Sequence, residues 1–333
     1  MSAATPPAGQ QEDQASRLRQ LVASFREPQV VGYTATADIN VMHVNLVSRP
    51  PPPPRAVRRV PVVAITSGKG GVGKTSLAVN VCAALSQRHL RVTLIDADLG
   101  LANADVMCGL SPVRRLESIV EVGAARRTLR QITVPTPAGF RLVPGSVGVQ
   151  RMANLPPTER AALLDAIGEL EEDNDLVVID TGAGVHESVL AFVRFADLAL
   201  VVVTPEPTSI ADAYAAIKLL RRTTRPGTGP MPRVLVVVNQ ARAPEEAGET
   251  FERIAGTCDK FLKFRPQMLG YVPVDEGVRD AVRSRVPVLL GKPRSPACAQ
   301  VRKVAEALAH EAGVRLVRPR QEAAGGWWSR LWG

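Results

Sequence analysis

The stretch "SGKGGVGKTS", Ser67 to Ser76, decides how the remainder of the chain is read. From Gly68 to Thr75 it fits G-x-x-x-x-G-K-[ST]. It stands after the apolar run "VPVVAIT" and ahead of a helical pattern that begins near Thr75. The phosphate-binding loop requires that strand–loop–helix setting, which a glycine-rich turn matching by accident would lack. Gly70, Gly71 and Gly73 let the backbone approach phosphate oxygens, and successive amides at a helix N-terminus form an anion cradle. In this pattern Lys74 reaches the β- and γ-phosphates and the Thr75 hydroxyl binds Mg²⁺. The pattern leaves a second lysine, Lys69, without a task.

Outward from the loop, apolar runs alternate with helical patterns from about residue 57 to 314. The runs are "VPVVAIT", "RVTLIDAD", "DLVVIDT", "LALVVVT", "RVLVVVN" and "QMLGYVP". Near-continuous, valine-rich runs imply strands covered on both faces. The expected fold is therefore α/β: a P-loop NTPase with a mostly parallel twisted sheet, helices on both faces, and short amphipathic segments at the two termini. A chain of 333 residues can bury one such core with segments to spare. The proline run Pro50 to Pro54 favours a semi-rigid extended spacer. The expected division is an N-terminal segment over 1–26, a linker over 27–56, the ATPase domain over 57–314 and a C-terminal tail over 315–333.

The net charge of +9 implies an anionic partner, whether nucleotide, nucleic acid or acidic lipid. Cys82, Cys108, Cys258 and Cys298 form no C-x-x-C pair, so a reduced cytosolic setting is expected rather than a zinc or iron–sulfur site. The N-terminus has no basic stretch leading into an apolar one, and no apolar run approaches the roughly 20 residues that span a bilayer.

A second metal ligand is expected at the end of a neighbouring buried strand, where "DLVVIDTGAG" supplies Asp180. Such an aspartate could merely cap a turn, but the flexible Thr181-Gly182-Ala183-Gly184 that follows suits a γ-phosphate sensor. Asp96 and Asp98 end another strand. Carboxylates near a triphosphate repel it unless they serve metal or water.

These motifs together carry a family resemblance. "GKGGVGKTS" with its extra lysine resembles the deviant Walker A loop of the MinD/ParA ATPases, and "IDADLGLANADV" and "IDTGAG" resemble their switch segments. "LIDADLGLANADVMCGL", "PEPTSIADAYAAIKLLRR" and "PRSPACAQVRKVAEAL" are similar to the FlhG/FleN branch, which controls flagellar number and placement. The resemblance implies an ATPase that dimerises around ATP and Mg²⁺, with Lys69 crossing to the phosphates bound by the partner subunit. It makes Gly68, Lys69, Gly70, Gly71, Val72, Gly73, Lys74, Thr75 and Ser76 the nucleotide-binding loop. Asp98 then positions the attacking water, Asp96 supports the metal and switch region, and Asp180 holds Mg²⁺, directly or through water. Asn239 is implied to recognise adenine, with Pro273, Val274 and Asp275 lining the base; Asn239 could equally close a turn.

The termini extend the resemblance. "DQASRLR", Asp13 to Arg19, resembles the D-Q-A-x-x-L-R element with which the branch stimulates an FlhF-like, signal-recognition-type GTPase. There Asp13, Gln14, Ala15, Leu18 and Arg19 are the expected contacts, on a segment that folds as it docks. Trp327, Trp328, Leu331 and Trp332 fall on one side of a short helix, with arginines nearby, an interfacial pattern suited to anionic lipid. Packing of those tryptophans on their own domain is the alternative. The expected location is the cytosol, peripheral to the inner face of the membrane. A flagellar transcription factor and C-ring proteins stay open as further partners. Three other readings compete: a chromosome, plasmid or division positioner, which in ParA-type partition would bind DNA; an electron or cluster carrier; and a non-hydrolysing ATP sensor. Nucleic acid is disfavoured because it gives the two termini no task.

Overall fold

Alternation along each strand sends side chains to two separate cores. In the first strand Val63 and Ile65 enter one core and Val62 and Ala64 the other. The same split recurs at Leu200 against Val201 and at Val237 against Val236. An apolar run without polar gaps is thus a strand buried on both faces, and helices must cover each side.

The computed structural model describes residues 60–99, 101–116, 128–146, 156–168, 170, 173–223 and 231–316. Its strands are β1 (Val62–Ser67), β2 (Val92–Ala97), β3 (Val134–Pro135), β4 (Arg141–Val143), β5 (Leu176–Ala183), β6 (Leu198–Val203), β7 (Arg233–Ala241) and β8 (Gln267–Pro273). They form one sheet in the order β3-β4-β2-β5-β1-β6-β7-β8, parallel except for the β3–β4 pair. All six apolar runs are strands of this sheet. The short β3 and β4 were not legible because two or three residues carry no period.

The helices are α1 (Lys74–Ser86), α2 (Ala104–Met107), α3 (Leu129–Ile132), α4 (Pro157–Gly168), α5 (Glu187–Phe195), α6 (Pro207–Thr223), α7 (Pro244–Leu262), α8 (Glu276–Arg283), α9 (Val288–Gly291) and α10 (Pro296–Glu311). On one face, Leu77 and Leu85 of α1 share a core with Val301 and Leu308 of α10. On the other, Phe192, Ile217 and Ile254 bring α5, α6 and α7 together. Helix α1 has no single apolar stripe, because it packs against both the sheet and α10. Val314 and Leu316, past the last helix, still pack against that core. Among the described residues no helix is long and apolar enough to cross a membrane.

The segments expected to meet partner and membrane lie outside the described residues. They include Asp13, Gln14, Ala15, Leu18 and Arg19, the linker over 27–56, and Trp327, Trp328, Leu331 and Trp332.

Candidate functional site

The phosphate loop leaves β1 and becomes α1 at Gly73, whose φ is 85°. That φ favours glycine, and a Cβ there would lie 2.5 Å from Asn239 Nδ2, so a side chain would also push the Asn239 amide aside. Helix α1 has no side-chain cap and no acidic residue in its first turn, which leaves its leading N–H groups for an anion. Lys74 is buried. Gly70, Gly71, Gly73, Lys74, Thr75 and Ser76 line a cavity of about 950 Å³, faced by Asp98 and Gly182. Gly68 lies against the Asp212 carbonyl of α6 too closely for any side chain. Val72 is buried in the core, and its carbonyl accepts a 2.7 Å bond from Asn239 Nδ2.

Lys69 is held against the start of α6. Its Nζ donates to Glu206 Oε2 at 2.5 Å and to Thr208 Oγ1 at 3.1 Å, and its side chain is 37% exposed. Glu206 and Thr208, at the start of α6, are neighbours of Lys69 that sequence reasoning missed, since nothing local marks pairs 137 and 139 positions apart.

Strand register gathers the carboxylates. In the β2–β5 pair Asp96 stands opposite Asp180. Asp96 accepts backbone N–H bonds from Asn103 and Ala104 at 2.9 Å and from Asp98 at 3.2 Å, so it staples the segment after β2. Burial raises its proton affinity against those bonds. Asp180 is fully buried, and burial pushes its carboxyl well above the usual range, helped by Asp96 and opposed by the Thr75 hydroxyl and Lys74. Neither Asp180 oxygen has a partner at hydrogen-bond geometry among the described residues. An uncompensated buried carboxylate beside a hydroxyl suits a hard, oxygen-seeking dication, so Asp180 and Thr75 fit Mg²⁺. Asp98 is half-buried; burial raises its proton affinity and Lys74 lowers it. Its Oδ1 lies 3.2 Å from where a Gly182 Cβ would stand.

A second, mainly apolar cavity of about 430 Å³ adjoins the first and shares Gly73, Ser76 and Met107 with it. Asn239, Pro273, Val274 and Asp275 all line it, together with Leu77 and Val278, which no motif flagged. The Asp275 carboxylate is already engaged. Its Oδ1 caps α8 through Gly277 N at 2.7 Å, while Oδ2 accepts from Ala297 N at 2.9 Å and from the Ser295 hydroxyl. Burial opposes ionisation there, but the three hydrogen bonds outweigh it and hold the carboxyl below its usual range. A depressed native pKa stabilises the fold above the unfolded value of about 3.9, and the gain is lost as pH falls through the native value. Asp275→Ala should therefore cost about 1–2 kcal/mol at pH 7. Denaturant titrations should find that difference shrinking below about pH 4.

The ParA family described as "NUBPL iron-transfer P-loop NTPase" matches residues 58–309. The chain is 43% identical to the antiactivator FleN of Pseudomonas aeruginosa over 247 residues, covering 74% of this chain and 85% of that protein. It is 33% identical to the flagellum site-determining protein YlxH of Helicobacter pylori over 193 residues, 58% of this chain and 62% of that one. In fold it is similar to the septum site-determining protein MinD of Pyrococcus horikoshii complexed with Mg-ADP. There the TM-score is 0.63 at 22% identity, covering 76% of this chain and 98% of that one.

Proposed function

The chain belongs to the ParA/MinD family of P-loop NTPases, in its FleN/FlhG branch, and on that premise we propose an ATP-hydrolysing switch. It pairs with a second copy of itself when ATP is bound and sets flagellum number and placement. The observation that carries this reading is the junction at Gly73: a phosphate cradle and an apolar cavity meet there, and Lys69, next to the cradle's Gly70, stands against Glu206.

Loop amides and Lys74 bind the phosphates, and Asp98 orients the water that attacks the γ-phosphorus as the bond to the bridging oxygen breaks. Thr75 and Asp180 would hold Mg²⁺, which would supply neutralisation of the triphosphate's charge. Asp96 keeps Asp98 in place through the backbone it staples. Asn239 commits one of its two amide N–H groups to Val72, which leaves its Oδ1 acceptor and the other N–H available to a base. Together they suit adenine, whose N6 amino group donates and whose N7 accepts, where guanine presents two acceptors. Asn239→Ala should weaken ATP binding about tenfold and narrow the preference for ATP over GTP to a similar degree, as read by competition with a fluorescent nucleotide.

The segment around Leu18 and Arg19 would dock on an FlhF-like GTPase, and the tail around Trp327 and Trp332 on anionic lipid at the inner face of the membrane. Two tails in one dimer would multiply weak lipid binding by effective concentration. Gel filtration of the full chain with ATP, ADP or neither, with and without anionic liposomes, tests the whole reading. An elution volume blind to nucleotide would refute it. ATP-dependent DNA binding with a steep salt dependence would instead favour a partition-type positioner. Cluster carriage is disfavoured because burial holds the thiols of Cys82, Cys108, Cys258 and Cys298 protonated.

A further inference from the structure

Asp96 staples one end of α2, and a second set of contacts holds the opposite side of the same four-residue helix. Asp105 in α2 is only 2% exposed. Arg115 reaches it with Nη2 at 2.6 Å while Nη1 donates to the Gly145 carbonyl at 3.1 Å. The Gly145 backbone presses on Asp96: a Cβ there would stand 2.5 Å from the Asp96 carbonyl oxygen and 3.0 Å from its Cγ. Leu116 N donates to Pro144 O at 2.9 Å, fastening Arg115's own segment beside Gly145. The contacts close a ring from Asp96 through α2 to Arg115, on to Gly145 and back to Asp96. Arg115 lines neither cavity. The ring nevertheless encloses what reaches them, because α2 ends at Met107, which lines both, and Asp98 lies two residues past Asp96.

We propose that Arg115 is a positioning residue for ATP hydrolysis, bracing α2 against Gly145 so that Asp98 and Met107 keep their places around the nucleotide. The inference rests on the reading of this site as an ATPase. A planar fork is needed because one side chain must serve a carboxylate and a backbone carbonyl in a fixed relation. The bland account is a buried ion pair that only holds the fold. Such a pair can be exchanged for apolar residues of similar volume without loss of stability, and turnover should survive that exchange.

The test uses the full chain carrying R115K, and separately the apolar pair D105L/R115M. Thermal melting, affinity for a fluorescent ATP analogue, kcat, and hydrogen exchange over residues 98–107 with and without ATP are measured. R115K should bind nucleotide within about threefold of wild type yet turn over ATP about 10- to 100-fold more slowly, the cost of a displacement near one ångström. The apolar pair should recover the melting temperature without recovering kcat. Wild-type turnover in the apolar pair overturns the brace, and so does a loss in R115K that merely tracks nucleotide affinity. If the pair does not fold, R115K alone decides. If wild type itself hydrolyses no ATP, the ATPase reading fails. Hydrogen exchange then judges the brace separately: ATP-dependent protection of 98–107 equal in wild type and R115K overturns it.

Discussion

Alanine at Lys69 is expected to abolish ATP-driven self-association while ATP affinity stays within about threefold of wild type. The cradle amides and Lys74 would bind the triphosphate without it. The Lys69–Glu206 contact joins two exposed side chains, at 37% and 60%. Exposed pairs of this kind are worth about 0–1 kcal/mol. A contact that weak holds the ammonium in place without locking it. A partner's triphosphate, with several charged oxygens in a drier interface, offers stronger charge-assisted bonds. Melting temperature should therefore shift by no more than a few degrees in Lys69→Ala, since about 1 kcal/mol is at stake. The dimer peak on gel filtration with ATP should vanish. Persistence of that peak would mean that pairing does not read the nucleotide through Lys69.

The second large effect concerns Asp98. Asp98→Ala should lower kcat by about 10²- to 10³-fold, within the span of a lost positioning or proton-accepting group. ATP affinity should hold or tighten, because a carboxylate facing the phosphate cavity is removed. Binding and turnover would then move in opposite directions, which a folding defect cannot produce. Asp96→Ala should behave differently. Three backbone N–H groups lose their shared acceptor, so stability falls together with turnover. Equal turnover in Asp98→Ala and wild type would remove Asp98 from the chemistry.

Much of the site could be read because its signals are local. The spacing from Gly68 to Thr75 needs no partner to be recognised, and the apolar runs mark their own strands. Asn239, taken from a strand end, does line the apolar cavity beside the phosphate loop. Its hold on Val72 could not be read, because it joins residues 167 positions apart. Glu206 was legible only as part of a quoted motif, without its contact to Lys69. Asp275 looked like a wall of the base cavity. That wall is also the N-cap tying α8 to α10, through Ser295 and Ala297 some 20 and 22 positions on. Arg115 had no signal at all, because an arginine in a surface-like stretch acquires meaning only when Asp105 and Gly145 close around it.

By itself the sequence determined the class of fold, the phosphate loop and the carboxylates beside that loop, since composition and short spacing encode periodicity, turn geometry and charge. The tertiary structure alone decided which strands lie side by side, and therefore that Asp96 faces Asp180, that Lys69 rests on Glu206, and that Arg115 bridges Asp105 of α2 and the Gly145 carbonyl. Those pairings depend on register and crossover between distant segments, where many arrangements satisfy the same local pattern and only the packing of two cores selects one.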